Sequence, residues 1–156
     1  MMDELQAVET FLGGLLGKLQ PAARRAAMRD IARELRRSQQ TRIVAQQNPD
    51  GSRYAARKPR TKPGGKLRDK RGRIKRAAMF AKLRTARYLK TEADANGLAI
   101  GFAGRVARVA RVHQLGETDR VAPGGVEYRY PARVLLGFTD AEREMIRDRL
   151  LQHLTK

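Results

Sequence analysis

Leu5, Val8, Leu12, Leu15, Leu16 and Leu19 recur at three- and four-residue spacing, a period that predicts a helix from Asp3 to Leu19 with one buried face. Gly13-Gly14 and Gly17 weaken it by about 1 kcal/mol each relative to alanine, so this helix depends on packing. Pro21 opens a second helix, because a first-turn proline lacks only an N–H that would be unpaired anyway. Met28, Ile31, Leu35 and Ile43 carry that helix to about Gln46, where Asn48-Pro49-Asp50-Gly51 stops it with turn chemistry.

Between Ser52 and Arg76 the apolar period disappears. Arg53, Arg57, Lys58, Arg60, Lys62, Lys66, Arg68, Lys70, Arg71, Arg73, Lys75 and Arg76 stand against one acid, Asp69, and Pro59, Pro63, Gly64, Gly65 and Gly72 interrupt any repeat. This reads as an extended basic loop within a folded domain, 1–156, followed by a short helix with Ile74, Ala77, Phe80 and Leu83 on one face.

The period then changes to two. Leu89, Thr91 and Ala93 alternate with polar residues, Asn96-Gly97 supplies a hairpin signal whose two turn positions need positive φ, and Leu98 to Phe102 forms the return strand. Helical spacing resumes from Arg105 to Leu115 and stops at Gly116. Val126 to Tyr130 reads as a third strand. Thr139 with Glu142 is a capping box that opens a last helix, Asp140 to Leu154, with Ile146, Leu150 and Leu154 inward. The class is α+β: N-terminal helices, a small antiparallel sheet built on a hairpin, and a C-terminal helix.

Charge changes the picture more than composition does. Thirty-four Lys and Arg against sixteen Asp and Glu give a net +18, a balance that favours polyanions and reads phosphate rather than base sequence. There are no cysteines, so disulfides and thiol chemistry are excluded. The acidic start, Met1-Met2-Asp3-Glu4, does not resemble a signal peptide, and no apolar run is long enough to span a membrane, so a cytoplasmic protein without membrane partners is expected.

Candidate chemistry is sparse. His113 and His153 stand 40 residues apart without ligand-spaced neighbours, which argues against zinc, and His113 just before Gly116 suits a helix-dipole or packing role. Lys62-Pro63-Gly64-Gly65-Lys66 lacks the spacing of a phosphate loop. Neither catalytic residues nor a cofactor site is legible. The basic segment carries the specific content: an arm that becomes ordered against DNA phosphate or an acidic neighbouring subunit, its plain alternative being a solvated loop. Tyr54 and Phe80 are the only aromatics near it, too few to interleave as a stacking platform for single strands.

Three strings, in order, then carry a resemblance. Arg42 to Lys58 contains Gln47-Asn48-Pro49-Asp50-Gly51, Tyr54 and Arg57-Lys58; Ala110 to Gly116 reads Ala-Arg-Val-His-Gln-Leu-Gly; Tyr130 to Gly137 reads Tyr-Pro-Ala-Arg-Val-Leu-Leu-Gly before Thr139-Asp140. Together they resemble the phage virion morphogenesis, or tail completion, proteins of Mu-like and other contractile-tailed phages, over about Arg24 to Leu154. Tyr54 stands where that family commonly has tryptophan, and Val134 where it commonly has proline. The resemblance implies a structural, non-enzymatic virion assembly protein acting in the neck or tail completion step that joins tail to head. It implies a homo-oligomeric ring around the DNA channel, a hexamer by analogy, located in the virion neck or tail and in host cytoplasm during assembly. Its partners would be other neck, tail-tube, terminator or connector proteins, with non-specific contact to duplex DNA. A reading from a different class is a sequence-independent nucleic-acid-binding accessory protein. On the assembly reading the arm and the Pro131-to-Gly137 string are expected to serve assembly, and the hairpin and last helix folding.

Twelve like charges within residues 52–76 cannot bury enough apolar surface to offset chain entropy of roughly 1–2 kcal/mol per residue. Limited trypsin digestion of the free protein is therefore expected to cut first between Arg57 and Arg76; earlier cleavage within the helices would contradict this.

Overall fold

The computed structural model describes residues 2–17, 19–57 and 78–155, the side chains of 2–5 and 15–17 excepted. In chain order its elements are α1 (Met2–Gly17), α2 (Pro21–Val44), β1 (Leu89–Ala93), β2 (Leu98–Phe102), α3 (Val106–Leu115), β3 (Thr118–Arg120), β4 (Glu127–Arg129) and α4 (Asp140–Leu154). The class is α+β, as the periods predict. No described helix is long and apolar enough to cross a membrane.

The long helix α2 is the spine. Its N-terminal half places Met28, Ile31 and Leu35 in a cluster closed by Leu150 of α4, with Leu12, Ala93, Leu98, Met145 and Ile146 around it. Its C-terminal half places Ile43 in a second cluster with Tyr54, Leu83, Ala110 and Leu135, to which Met79, Phe80, Phe102 and Val106 add. Both α4 and the β1–β2 hairpin pack against α2, so the alternating strand residues and the α4 stripe fill cores as their periods require. Leu12 joins the first cluster, whereas Val8 and Phe11 of α1 are exposed. Leu5, Leu15 and Leu16 lie outside the described side chains.

The last helix starts as expected. Thr139 Oγ1 accepts from the Glu142 amide at 3.1 Å, and Glu142 Oε2 accepts from the Thr139 amide at 3.0 Å. Glu142 Oε1 also accepts from Ser38 Oγ at 2.7 Å, so the capping box fastens α4 to α2 as well as closing its own first turn.

Three elements differ from the sequence reading. The β1–β2 hairpin has the expected strands, pairing Leu89 with Phe102 and Ala93 with Leu98, but its turn is a four-residue loop. Asp94 Oδ1 accepts from the amides of Asn96 (2.7 Å) and Gly97 (3.0 Å), and neither of those residues takes a positive φ. The Asp94 side chain thus supplies the turn that Asn96-Gly97 was expected to make by backbone conformation. The expected third strand is β4, paired antiparallel with β3 in a separate hairpin. The three residues of β3, Thr-Asp-Arg, have no apolar alternation to announce a strand. Of the short helix expected after the basic segment, Ile74 and Ala77 lie outside the described residues, and residues 81–88 form turns. Phe80 has φ +65°, which a right-handed helix cannot continue through.

Leu89 is fully buried, while Phe102 opposite it is only partly so. Leu89→Ala is expected to cost about 2–5 kcal/mol in urea unfolding and Phe102→Ala clearly less than the 3–5 kcal/mol of a fully buried aromatic. The reverse order would contradict this packing.

Candidate functional site: a clasp at the base of the basic segment

Residues 133–137 cross the interior between α2 and α3 without a partner strand. Their buried backbone groups still need partners, and side chains provide them. Gln114 Oε1 accepts from the amides of Leu135 (2.8 Å) and Leu136 (2.9 Å), and its Nε2 donates to the Leu136 carbonyl (2.7 Å). Asn48 Oδ1 accepts from the Val134 amide at 2.8 Å. The Arg42 guanidinium donates to the carbonyls of Val134 (3.4 Å), Leu135 (3.1 Å) and Gly137 (3.2 Å). Arg42 is 9% exposed with no carboxylate among these partners, so its charge is solvated by carbonyl dipoles, a task that suits the multi-donor fork of arginine. Gly137 must be small here, since a Cβ would sit 2.8 Å from Pro49 Cγ. Gly116 has φ +67°, and a Cβ there would crowd the Ala132 amide at 3.1 Å.

Arg133 turns the other way. Its Nε donates to the Ala55 carbonyl (2.7 Å), Nη2 to the Ala56 carbonyl (3.0 Å), and Nη1 meets His113 Nδ1 at 3.2 Å. A guanidinium only donates, so His113 Nδ1 accepts and the ring proton sits on Nε2. Burial, and then the Arg133 charge, push the His113 pKa from 6.5 down to about 4. The ring is neutral at pH 7. An imidazolium at the helix dipole is therefore not its role, and packing is: His113 lies edge-on to Phe80 (4.9 Å) and to Tyr130 (5.0 Å). Tyr54 against Phe80 and Tyr128 against Tyr130 extend the run at both ends. The ring contacts hold Phe80 in its left-handed conformation, which costs an ordinary side chain about 1–2 kcal/mol.

Both flanks of the basic segment are fastened to this network. On the entry side, Tyr54 is buried and Arg133 holds the carbonyls of Ala55 and Ala56. On the exit side, the Gln46 carboxamide pairs with the Met79 backbone, accepting from its amide (2.7 Å) and donating to its carbonyl (2.9 Å). Among the predicted site residues, Arg53 and Arg57 are exposed at the entry side. Lys58, Arg60, Lys62, Lys66, Arg68, Lys70, Arg71, Arg73, Lys75 and Arg76 lie outside the described residues.

The clasp draws on all three strings singled out in the sequence. Arg42 and Asn48 come from the first, His113 and Gln114 from the second, and Arg133 to Gly137 from the third. Periodicity could not flag Arg42, Gln114 or Arg133, because polar residues turned toward the interior break the apolar pattern it reads. Pro131 to Gly137, expected to serve assembly, has a folding role as well: Arg133 and Leu135 are buried, and the bonds of 133–137 run to α2, α3 and the 46–56 turn. Among the described residues no cluster of His, Asp or Glu has a metal-holding arrangement.

Two measurements probe the clasp. Gln114→Ala strands the amides of Leu135 and Leu136, at about 1–3 kcal/mol for each unsatisfied group, so a loss under 1 kcal/mol in urea unfolding would contradict the assignment. The pH profile follows from His113. Its folded pKa lies below the unfolded one, so the unfolded chain takes the proton first as pH falls. Stability is thus held above pH 6.5 and lost between 6.5 and about 4. His113→Gln, which keeps an acceptor for Arg133, is expected to flatten that part of the profile in thermal melts.

The comparisons with known proteins agree with this convergence of motifs. No solved structure matches the chain. The chain is 40% identical over 156 residues, covering 99% of this chain and all of the relative, to tail completion protein S of Escherichia phage P2. The sequence profile of the phage virion morphogenesis family matches residues 3–155, so the chain, with its three strings meeting in one clasp, belongs to that family.

Proposed function

We propose that this protein is a structural component of phage tail completion, acting where the tail joins the head, as a homo-oligomeric ring around the DNA channel. The observation that carries the reading is the full-length 40% identity to a tail completion protein. A hexamer is the expected ring by analogy with related neck proteins, and its neighbours would be tail-tube, terminator or connector proteins. The protein would work in the virion neck or tail after assembly in the host cytoplasm.

In this reading the fold is a scaffold and the segment 52–76 is its working part. The clasp supports that division, because it fastens both flanks of the segment to the core, and the segment's sequence concentrates twelve basic residues in one stretch, a composition suited to DNA phosphate or an acidic neighbour. A free-standing DNA-binding accessory protein is the rival reading, favoured by the +18 charge alone. Such a protein would bind duplex DNA but be absent from particles.

If the segment serves assembly and not folding, replacing Lys58, Arg60, Lys62 and Lys66 by Ser is expected to change stability in thermal unfolding by less than about 0.5 kcal/mol. The same variant should reduce the yield of joined, infectious particles. Normal particle yield would remove the role given to the segment. A single copy per particle, seen by imaging assembled tails, would remove the ring.

A further inference from the structure

The outer face of α2 carries a feature that neither the clasp nor segment 52–76 accounts for. Arg25, Arg29, Arg33 and Arg37 follow one another at four-residue intervals, and all four are exposed. That spacing puts them in one row along the helix, about 18 Å long at 1.5 Å per residue. The opposite face buries Ala27, Met28, Ile31, Ala32 and Leu35, so the core does not dictate the row. Like charges four residues apart destabilise a helix, so folding alone does not favour this arrangement either.

The acids nearby are already engaged. Asp30 takes an ion pair from Arg149 (3.5 Å) and shares a hydrogen bond with His153 Nε2 (3.2 Å), and Glu34 takes ion pairs from Arg37 (3.5 Å) and Arg149 (3.8 Å). Arg25, Arg29 and Arg33 have no ion pair among the described residues. Arg29 and Arg33 also line a cleft of about 430 Å³ between α2 and α4, with Arg149 and His153 on its far wall. The row is held on a rigid support, because α2 packs against both α4 and β1.

We propose that this row is a second polyanion-binding surface, and that its ligand is the phosphate backbone of duplex DNA. An acidic protein partner fits less well. Protein interfaces centre on aromatic or aliphatic anchors, whereas DNA contacts are polar and strongly positive. The only large apolar side chain exposed on the described part of α2 is Val44, at its far end. Evenly spaced guanidinium groups without an apolar centre match a regular array of phosphates. The contact requires no ring, since one copy presents the whole row.

The test uses the full chain, a 30-base-pair duplex of mixed sequence, and fluorescence anisotropy between 50 and 200 mM salt. Replacing Arg25, Arg29, Arg33 and Arg37 together by Gln is expected to lower the log–log salt slope by about 3–4, and affinity at 100 mM by on the order of 10³. Replacing Arg105, Arg120, Arg129 and Arg147 by Gln removes the same charge from other exposed positions, and should lower the slope by less than about 1. Melting temperatures of both variants check that each is folded, and relief of like-charge repulsion should leave the row variant no less stable than the parent. Equal losses in the two variants would reduce the effect to net charge and overturn the proposal. So would a wild-type chain that does not bind DNA, or a row variant that binds DNA normally but no longer enters particles, which would assign the row to an acidic protein. A DNA-binding wild type absent from particles would instead defeat the tail-completion reading and leave this proposal standing.

Discussion

An extended segment that runs through a protein interior without a neighbouring strand has a backbone to satisfy and no sheet to do it. Residues 133–137 are in that position, and Gln114, Asn48 and Arg42 supply the missing donors and acceptors. Each buried amide or carbonyl left alone would cost about 1–3 kcal/mol, a large share of a small domain's net stability. The constraint propagates outward. Gln114 is placed by α3, Asn48 by the turn that ends α2, and Arg42 by the last turn of α2 itself. All three elements must therefore be in place for the segment's backbone to be fully satisfied.

The same constraint explains how a basic segment can be carried by so small a core. The 46–56 turn and Met79 are both tied to the clasp, so the flanks of the segment are set by the hydrogen bonds that complete the interior. Phe80 keeps a left-handed backbone because its ring is caught between Tyr54 and His113 in the same network. The residues that close the core also hold the described flanks of the segment, Tyr54 to Ala56 on one side and Met79 on the other.

Arginine plays two opposite parts in this molecule. Arg42 and Arg133 are buried, and their guanidinium groups are spent on backbone carbonyls, where geometry and donor number matter more than charge. Arg25, Arg29 and Arg33 are exposed on α2 and make no ion pair among the described residues, so their charge is available to solvent and partners. The net +18 is thus a mixture of structural cations and a surface field, and only the second can steer an anionic partner.

What the sequence by itself determined was whatever local physics controls. The amphipathic periods of α2 and α4, the capping box at Thr139 and Glu142, the strands around Asp94 to Gly97 and the α+β class all depend on neighbours within a few residues. The family, too, was legible from three ordered strings. Tertiary structure alone decided that those strings meet, because Arg42, Gln114 and Leu135 become partners only when segments about 20 to 90 residues apart close on one another. It also decided that β3 is a strand, since Thr118 to Arg120 pairs with β4 without any apolar alternation of its own. It decided that His113 is a neutral packed ring rather than a cation at a helix end. The Asp94 turn is local and exposed instead, a side-chain contact that apolar periodicity does not read. The clasp and His113 rest on buried or long-range polar contacts, and apolar periodicity, which reports only where water is excluded, carries no information about which polar group will be waiting there.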